Sequence, residues 1–189
     1  MTGILGWGAL LALLGVILTG VFGPKRAPDR RPTPEKPVRA EPDTFPPNTH
    51  LPPAREASVC GSIDLSAFSP ESDLVRVEDN RVWWESDHDT GDDEDDHIVH
   101  RLAEGPLRRL IDLVEKNGGR LKVQDAYRPK GVHIPSSLHK EGRAIDVTCE
   151  GLSLEKLARL CWAAGFDWVY HEAKRPGNEH VHCSVKREK

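Results

Sequence analysis

In the stretch SLHKEGRAID, Ser137 to Asp146, a histidine and an aspartate are separated by six residues that include a glycine, and the chain then runs into β-like VTC. Near the other end, HVHCSV sets His180 and His182 in alternating sequence, which puts both on one strand face with Val181 opposite. His139, Asp146 and His182 together offer two imidazoles and one carboxylate, three of the four ligands of a tetrahedral zinc. A fourth position left for water is the donor count of an open site, not of a closed structural one. The bland reading of any single histidine is a surface or hydrogen-bonded side chain, and in a chain with nine histidines spacing alone does not single these out.

The elements that must position these residues are read from the apolar period. DLVRVEDNRVWWES predicts two short strands around Asp79-Asn80, and HIVHRLAEGPLRRLIDLVEKNGG predicts a helix closed by Gly118-Gly119 and kinked or divided at Pro106. RLKVQDAY and AIDVTC alternate as strands. Ser153 can cap the helix LSLEKLARLCWAAG, which ends at Gly165, and FDWVYHE and HVHCSVK supply two more strands. That order predicts an α+β domain, a mixed and largely antiparallel sheet with helices on one face.

The residues from Met1 to Gly23 carry no charged side chain, and ILGWGALLALLGVILTGVF is long enough to cross a bilayer. The expectation is therefore one transmembrane helix over 1–23, with a cleaved signal peptide as the rival reading. Residues 24–57 hold most of the fifteen prolines and few large apolar residues, which predicts a disordered linker and leaves 58–189 as the globular domain. The basic flank from Lys25 to Arg39 favours a cytoplasmic position for the globular domain, against which the chemistry of that domain has to be weighed. A net charge of −4 gives no reason to expect nucleic acid, and the domain is read as a monomer.

S-L-H-K-E-G-R-A-I-D-V-T, A-G-F-D-W-V-Y-H-E and H-V-H-C-S-V-K closely resemble the amino-terminal signalling domain of the hedgehog family, from Leu121 to Lys186 and more weakly back to Leu74. The S-x-H-x-x-G-x-A-x-D frame with a late histidine is also similar to the zinc D-Ala-D-Ala carboxypeptidases. The resemblance implies the fold those families share and a zinc held by His139, Asp146 and His182. In hedgehog domains the strand matching VQDAY is followed by acids that help bind calcium, whereas Arg128, Pro129 and Lys130 stand here. DAYRP instead resembles the peptidases, which implies Arg128 as the group that stabilises an oxyanion, a role suited to a guanidinium. The plain alternative for Arg128 is a salt bridge to a neighbouring acid.

A hydrolytic zinc needs a general base. Glu172 matches the hedgehog glutamate likened to a protease base, and Glu179 has the E-x-x-H spacing of the carboxypeptidases. His180 and His133 match histidines near the metal that would orient substrate or stabilise charge. The acidic run from Asp87 to Asp96, with Asp125, raises calcium as a second cofactor, although no EF-hand spacing supports it and Arg128 and Lys130 oppose it. Cys60, Cys149, Cys161 and Cys183 form no C-x-x-C pair, and their redox state stays open.

These readings lead to a single-pass, membrane-anchored zinc metallopeptidase of the D-Ala-D-Ala carboxypeptidase or peptidoglycan endopeptidase type. It would use zinc-activated water on D-amino-acid bonds of peptidoglycan peptides, with its C-terminal domain in the periplasm or outside the cell. The alternative is a hedgehog-like, zinc-containing binding module without hydrolytic activity, and a third reading is a purely structural domain.

Overall fold

Helical spacing of Leu102, Leu107, Leu110, Ile111 and Val114, and of Leu157, Ala158, Leu160, Cys161 and Ala164, gives two helices each with one buried stripe. Alternation in the strands gives the surface they cover. The computed structural model describes residues 35–85, 95–130, 134–174 and 176–188. In chain order its elements are β1 (His50–Leu51), α1 (Glu56–Cys60), α2 (Pro70–Asp73), β2 (Leu74–Arg76), β3 (Trp83–Trp84), β4 (Ile98–His100), α3 (Arg101–Lys116), β5 (Arg120–Asp125), β6 (Ala144–Glu150), α4 (Leu154–Ala164), β7 (Trp168–Glu172) and β8 (His180–Ser184). A 3-10 turn, Leu138–Glu141, lies between β5 and β6.

The main sheet has the order β1-β7-β8-β6-β5-β3, antiparallel throughout except for the parallel pair of β3 and β5. Val123, Ile145, Val147, Val169, Val181 and Cys183 are buried in one core with α3 and α4, which cover one face of the sheet. The expected α+β fold with helices on one face is therefore present. β6 and β8 are central and pair Asp146 with His182, Val147 with Val181 and Ile145 with Cys183. Since Ile145, Val147, Val181 and Cys183 fill the helix side, Asp146, His180 and His182 belong to the opposite face.

Local details differ from the sequence expectation in two places. β2 and β3 do not pair with each other: β2 pairs with β4 in a separate two-stranded sheet, and β3 pairs with β5. The predicted long helix starts later, because IVH is β4 and His100 caps α3 with its ring, accepting from Leu102 N at 3.1 Å. α3 then runs through Pro106 as one helix. Ser153 and Gly165 cap α4 as the sequence predicts.

Residues 35–57 are not the free linker that their proline content suggests. Phe45 is buried in the main core, and its backbone N–H donates to Glu155 Oε1 at 3.1 Å. Lys36 pairs with the buried Asp167, the guanidinium of Arg39 lies 4.3 Å from the Trp162 ring centre, and Glu41 pairs with Lys156 and Arg159. β1 adds to the edge of the sheet against β7. These residues form a strap across α4 and the β7 edge.

The membrane expectation is corrected as well. Among the described residues no helix is long and apolar enough to cross a membrane, and residues 1–23 lie outside them. The single-pass anchor, the membrane as partner and the periplasmic or external placement therefore have no support in the structure and are withdrawn.

Candidate metal centre

Three short-range devices bring the donors together. Asp146 and His182 face each other directly across the β6–β8 ladder. His139 arrives on the turn that precedes β6: Ser137 Oγ accepts from His139 N at 3.3 Å, and Gly142 closes the turn in the left-handed region, φ 64°. A side chain at Gly142 would lie 2.8 Å from His100 N, so glycine is required for the approach as well as for the angle. The turn is tied to β5 by Arg128 N donating to the His139 carbonyl at 3.0 Å.

His139 Nδ1 lies 3.0 Å from the Ala126 carbonyl, which can only accept, so the proton is on Nδ1 and Nε2 is turned to the carboxylate, 3.4 Å from Asp146 Oδ2. His182 presents Nδ1, 2.8 Å from Asp146 Oδ1. Donor atoms of His139, Asp146 and His182 all lie within 4.8 Å of one another, and His139 and Asp146 are buried. Without a cation the cluster is an ion-pair network. Burial, the largest influence, pushes the Asp146 carboxyl up, yet the two imidazoles hold it well below the usual carboxylate range. Burial likewise disfavours protonated His182, and the charge and hydrogen bond of Asp146 outweigh it and hold His182 well above the ordinary histidine value. A buried carboxylate between two imidazoles whose tautomers are set from outside suits a divalent cation, and this cluster is capable of coordinating one.

The centre opens into a cavity of about 770 Å³ whose lining includes Glu56, Glu85, Arg128, Ile134, Glu172 and His180. Glu56, placed by the sequence reading in the linker, is the residue that reading missed. Its Oε1 lies 2.7 Å from His182 Nε2, and although burial pushes its carboxyl up, contact with His182 holds it below the ordinary value. No local motif marks it; only the docking of α1 against β7 brings it there.

Of the residues expected around the metal, Arg128, Glu172 and His180 line the same cavity as the cluster, and Glu179 is not among the lining residues. Arg128 is buried and pairs with Asp125 at 2.8 Å, the salt-bridge reading of that residue. Glu179 turns back into its own loop, accepting from Gly177 N at 2.8 Å. Glu172 and His180 are cross-strand partners, His180 Nε2 standing 3.7 Å from both Glu172 and Asp146. His133 and residues 86–94, which hold most of the acidic run, lie outside the described residues. Of the acids at its end, Asp95 pairs with Arg76, and Asp96 Oδ1 accepts from Ala126 N at 3.1 Å. All four cysteines are free thiols.

The family model described as the Hedgehog amino-terminal signalling domain matches residues 35–184, from the strap to the last strand of the sheet. The chain is 50% identical over 74 residues to Indian hedgehog B protein of Danio rerio, covering 38% of this chain and 17% of that protein. It is 46% identical over 98 residues to Tiggy-winkle hedgehog protein of Danio rerio, covering 49% and 23%. Over 119 residues it is 34% identical to Protein hedgehog of Drosophila ananassae, covering 60% and 24%. The chain thus spans about a fifth of the length of the curated relatives it matches.

These relatives overturn the peptidase expectation. They are hedgehog proteins, none of them a D-Ala-D-Ala carboxypeptidase or peptidoglycan endopeptidase, so hydrolysis of peptidoglycan peptides and the cell-wall partner are withdrawn. Arg128 of the Y-R-P element lines the cavity and also pairs with Asp125. With a family match that covers the strap, the turn and every strand that carries a donor, the chain belongs to the hedgehog amino-terminal signalling domain family.

Proposed function

We propose that the domain is a zinc-holding recognition module that takes a segment of a protein partner into the cavity over His139, Asp146 and His182. The observation that carries this reading is the donor cluster itself, buried on one side and open to the cavity on the other, in a chain of this family. Two imidazoles with one carboxylate favour zinc over calcium, which prefers an all-oxygen shell. Three protein donors leave one coordination position for an atom from outside the domain. Around that position the wall mixes charge with apolar surface: Ile134, 67% exposed, lines the cavity together with Asn178 and Ser136. Such a surface suits a protein segment with one metal-ligating side chain and an apolar neighbour.

Three acids of the wall are already engaged in holding structure. Glu56 accepts from His182, Glu85 pairs with Lys122 at 2.8 Å, and Asp125 pairs with Arg128. Acids already paired in this way cost less to order on binding, and such preorganisation adds affinity.

The test begins with elemental analysis. The parent should retain about one zinc per chain and Asp146→Ala should lose most of it. Peptides selected from a display library on the zinc-loaded domain should be released by a chelator and should emerge intact by mass spectrometry. Cleavage that disappears in Asp146→Ala would overturn the recognition reading; equal zinc in both proteins would overturn the ligand set.

A further inference from the structure

Glu56 stands where the strap meets the metal centre. Both ring nitrogens of His182 face carboxylate oxygens, Nδ1 toward Asp146 Oδ1 at 2.8 Å and Nε2 toward Glu56 Oε1 at 2.7 Å; with a cation on Nδ1 the ring would keep its proton on Nε2, where Glu56 accepts. An acceptor at that position fixes the tautomer, aims the ring and makes the ligating nitrogen more basic. Trp168 packs edge-on against the same ring, centroids 5.8 Å apart.

Glu56 is the first residue of α1, and its place depends on the residues before it. Trp168 Nε1 donates to the Ala54 carbonyl at 2.7 Å, and the His50 ring stacks on Trp168 at 5.1 Å. Asn48 N donates to the His171 carbonyl at 2.7 Å, and His171 N to the Thr49 carbonyl at 3.0 Å. β1 is a two-residue strand at the sheet edge, so opening of residues 48–56 would break few ladder bonds and leave Phe45 in the core and β6 and β8 paired. On its far side α1 is held by the buried Arg143, whose Nη1 donates to the Cys60 carbonyl at 2.7 Å. The hinge is therefore the stretch from β1 to the start of α1, and Glu56 lies at its end.

We propose that Glu56 is a positioning residue for His182 and that metal binding and docking of the strap are coupled through it. The inference rests on the zinc reading given above. Linkage makes the coupling reciprocal: the factor by which the docked strap tightens zinc is the factor by which zinc closes the strap. The strap is then a reporter of the centre, exposed to exchange and proteolysis when the metal is lost and protected when it is bound.

The experiment uses the full chain, stripped with a chelator and reloaded with zinc alone. Zinc affinity is measured by competition with a chromophoric chelator for the parent and Glu56→Gln, which keeps the shape of the side chain. The expected loss is about 10- to 100-fold. Amide exchange is followed at Asn48 and Ser58 with and without zinc. Exchange in the parent should slow by a factor similar to the affinity loss, and in Glu56→Gln zinc should slow it little. A merely structural glutamate would change exchange equally in both states and leave affinity alone. Affinity of Glu56→Gln within twofold of the parent, or strap exchange in the parent indifferent to zinc, overturns the proposal. If Glu56→Gln fails to fold, the exchange of the parent with and without zinc still decides. A parent that binds no zinc at all fails earlier, at the metal reading, and takes this inference with it.

Discussion

Phe45→Ala tests whether the strap is part of the fold. The side chain is 1% exposed and belongs to the same core as α3, α4 and the central strands. The Phe45 carbonyl also lies 2.9 Å from His171 Nδ1, so the residue is held from both its backbone and its ring. Truncating a buried phenylalanine to alanine costs about 3–5 kcal/mol, the transfer of the ring plus the cavity left behind. For a domain of this size each kcal/mol lowers Tm by about 2–4 °C, so a loss of about 4 kcal/mol corresponds to a fall of about 12 °C. The urea midpoint should fall in proportion with the slope unchanged, since the truncation alters stability and not the surface exposed on unfolding. Val38→Ala in the same strap is the control: Val38 is 69% exposed, and its change should stay within about 0.5 kcal/mol. If Phe45→Ala shifted Tm no more than Val38→Ala, residues 35–57 would be the loose linker their composition suggests.

His100 should impose an acid limit on stability. Burial, its largest influence, pushes the ring down to about 4 from 6.5; the depressed value means that its contribution is complete above about pH 6.5 and is lost as pH falls toward 4, about 3 kcal/mol in all. His100→Asn keeps a capping acceptor and should flatten that part of the stability–pH curve in urea melts at fixed pH steps. Gly142→Ala should lower stability by about 2 kcal/mol or more, since φ is 64° and the new Cβ would lie 2.8 Å from His100 N and 2.9 Å from Leu74 Cδ2. Because the same glycine ends the His139 turn, zinc content after dialysis should fall with it; full zinc retention would show that the turn does not set the donor.

How much of the fold and the site was legible from residues depends on the range of each signal. The face shared by His180 and His182 was legible because a strand period of 2 is local, and the caps of α4 were legible because Ser153 and Gly165 each act within one turn. The pairing of β2 and β3 was not. Asp79-Asn80 resembles a turn between two strands, but β2 finds β4 and β3 finds β5, partners whose identity depends on distant sequence. The strap was misread because average composition is a poor measure of a segment that docks through one phenylalanine and a few charges set against Asp167, Lys156 and Arg159. Arg128 was legible as a residue of the site, while its pairing with Asp125 was one of two readings the sequence left open.

The donors are not held equally, and this bears on how the centre would respond to the loss of a bound cation. Asp146 and His182 sit on adjacent central strands whose other faces, Ile145, Val147, Val181 and Cys183, are fully buried, so their separation is fixed by the stiffest part of the sheet. His139 is held by a single turn and by bonds to Ala126 and Arg128, and Glu56 by a two-residue edge strand and one turn of helix. Repulsion or protonation within the cluster is therefore relieved at the periphery first, where opening disrupts few contacts. Removal of the metal should leave the β6–β8 ladder intact and raise exchange in the strap and in the 138–142 turn. These are the segments that border the cavity, so the surface offered to a partner would change with occupancy while the fold beneath it does not.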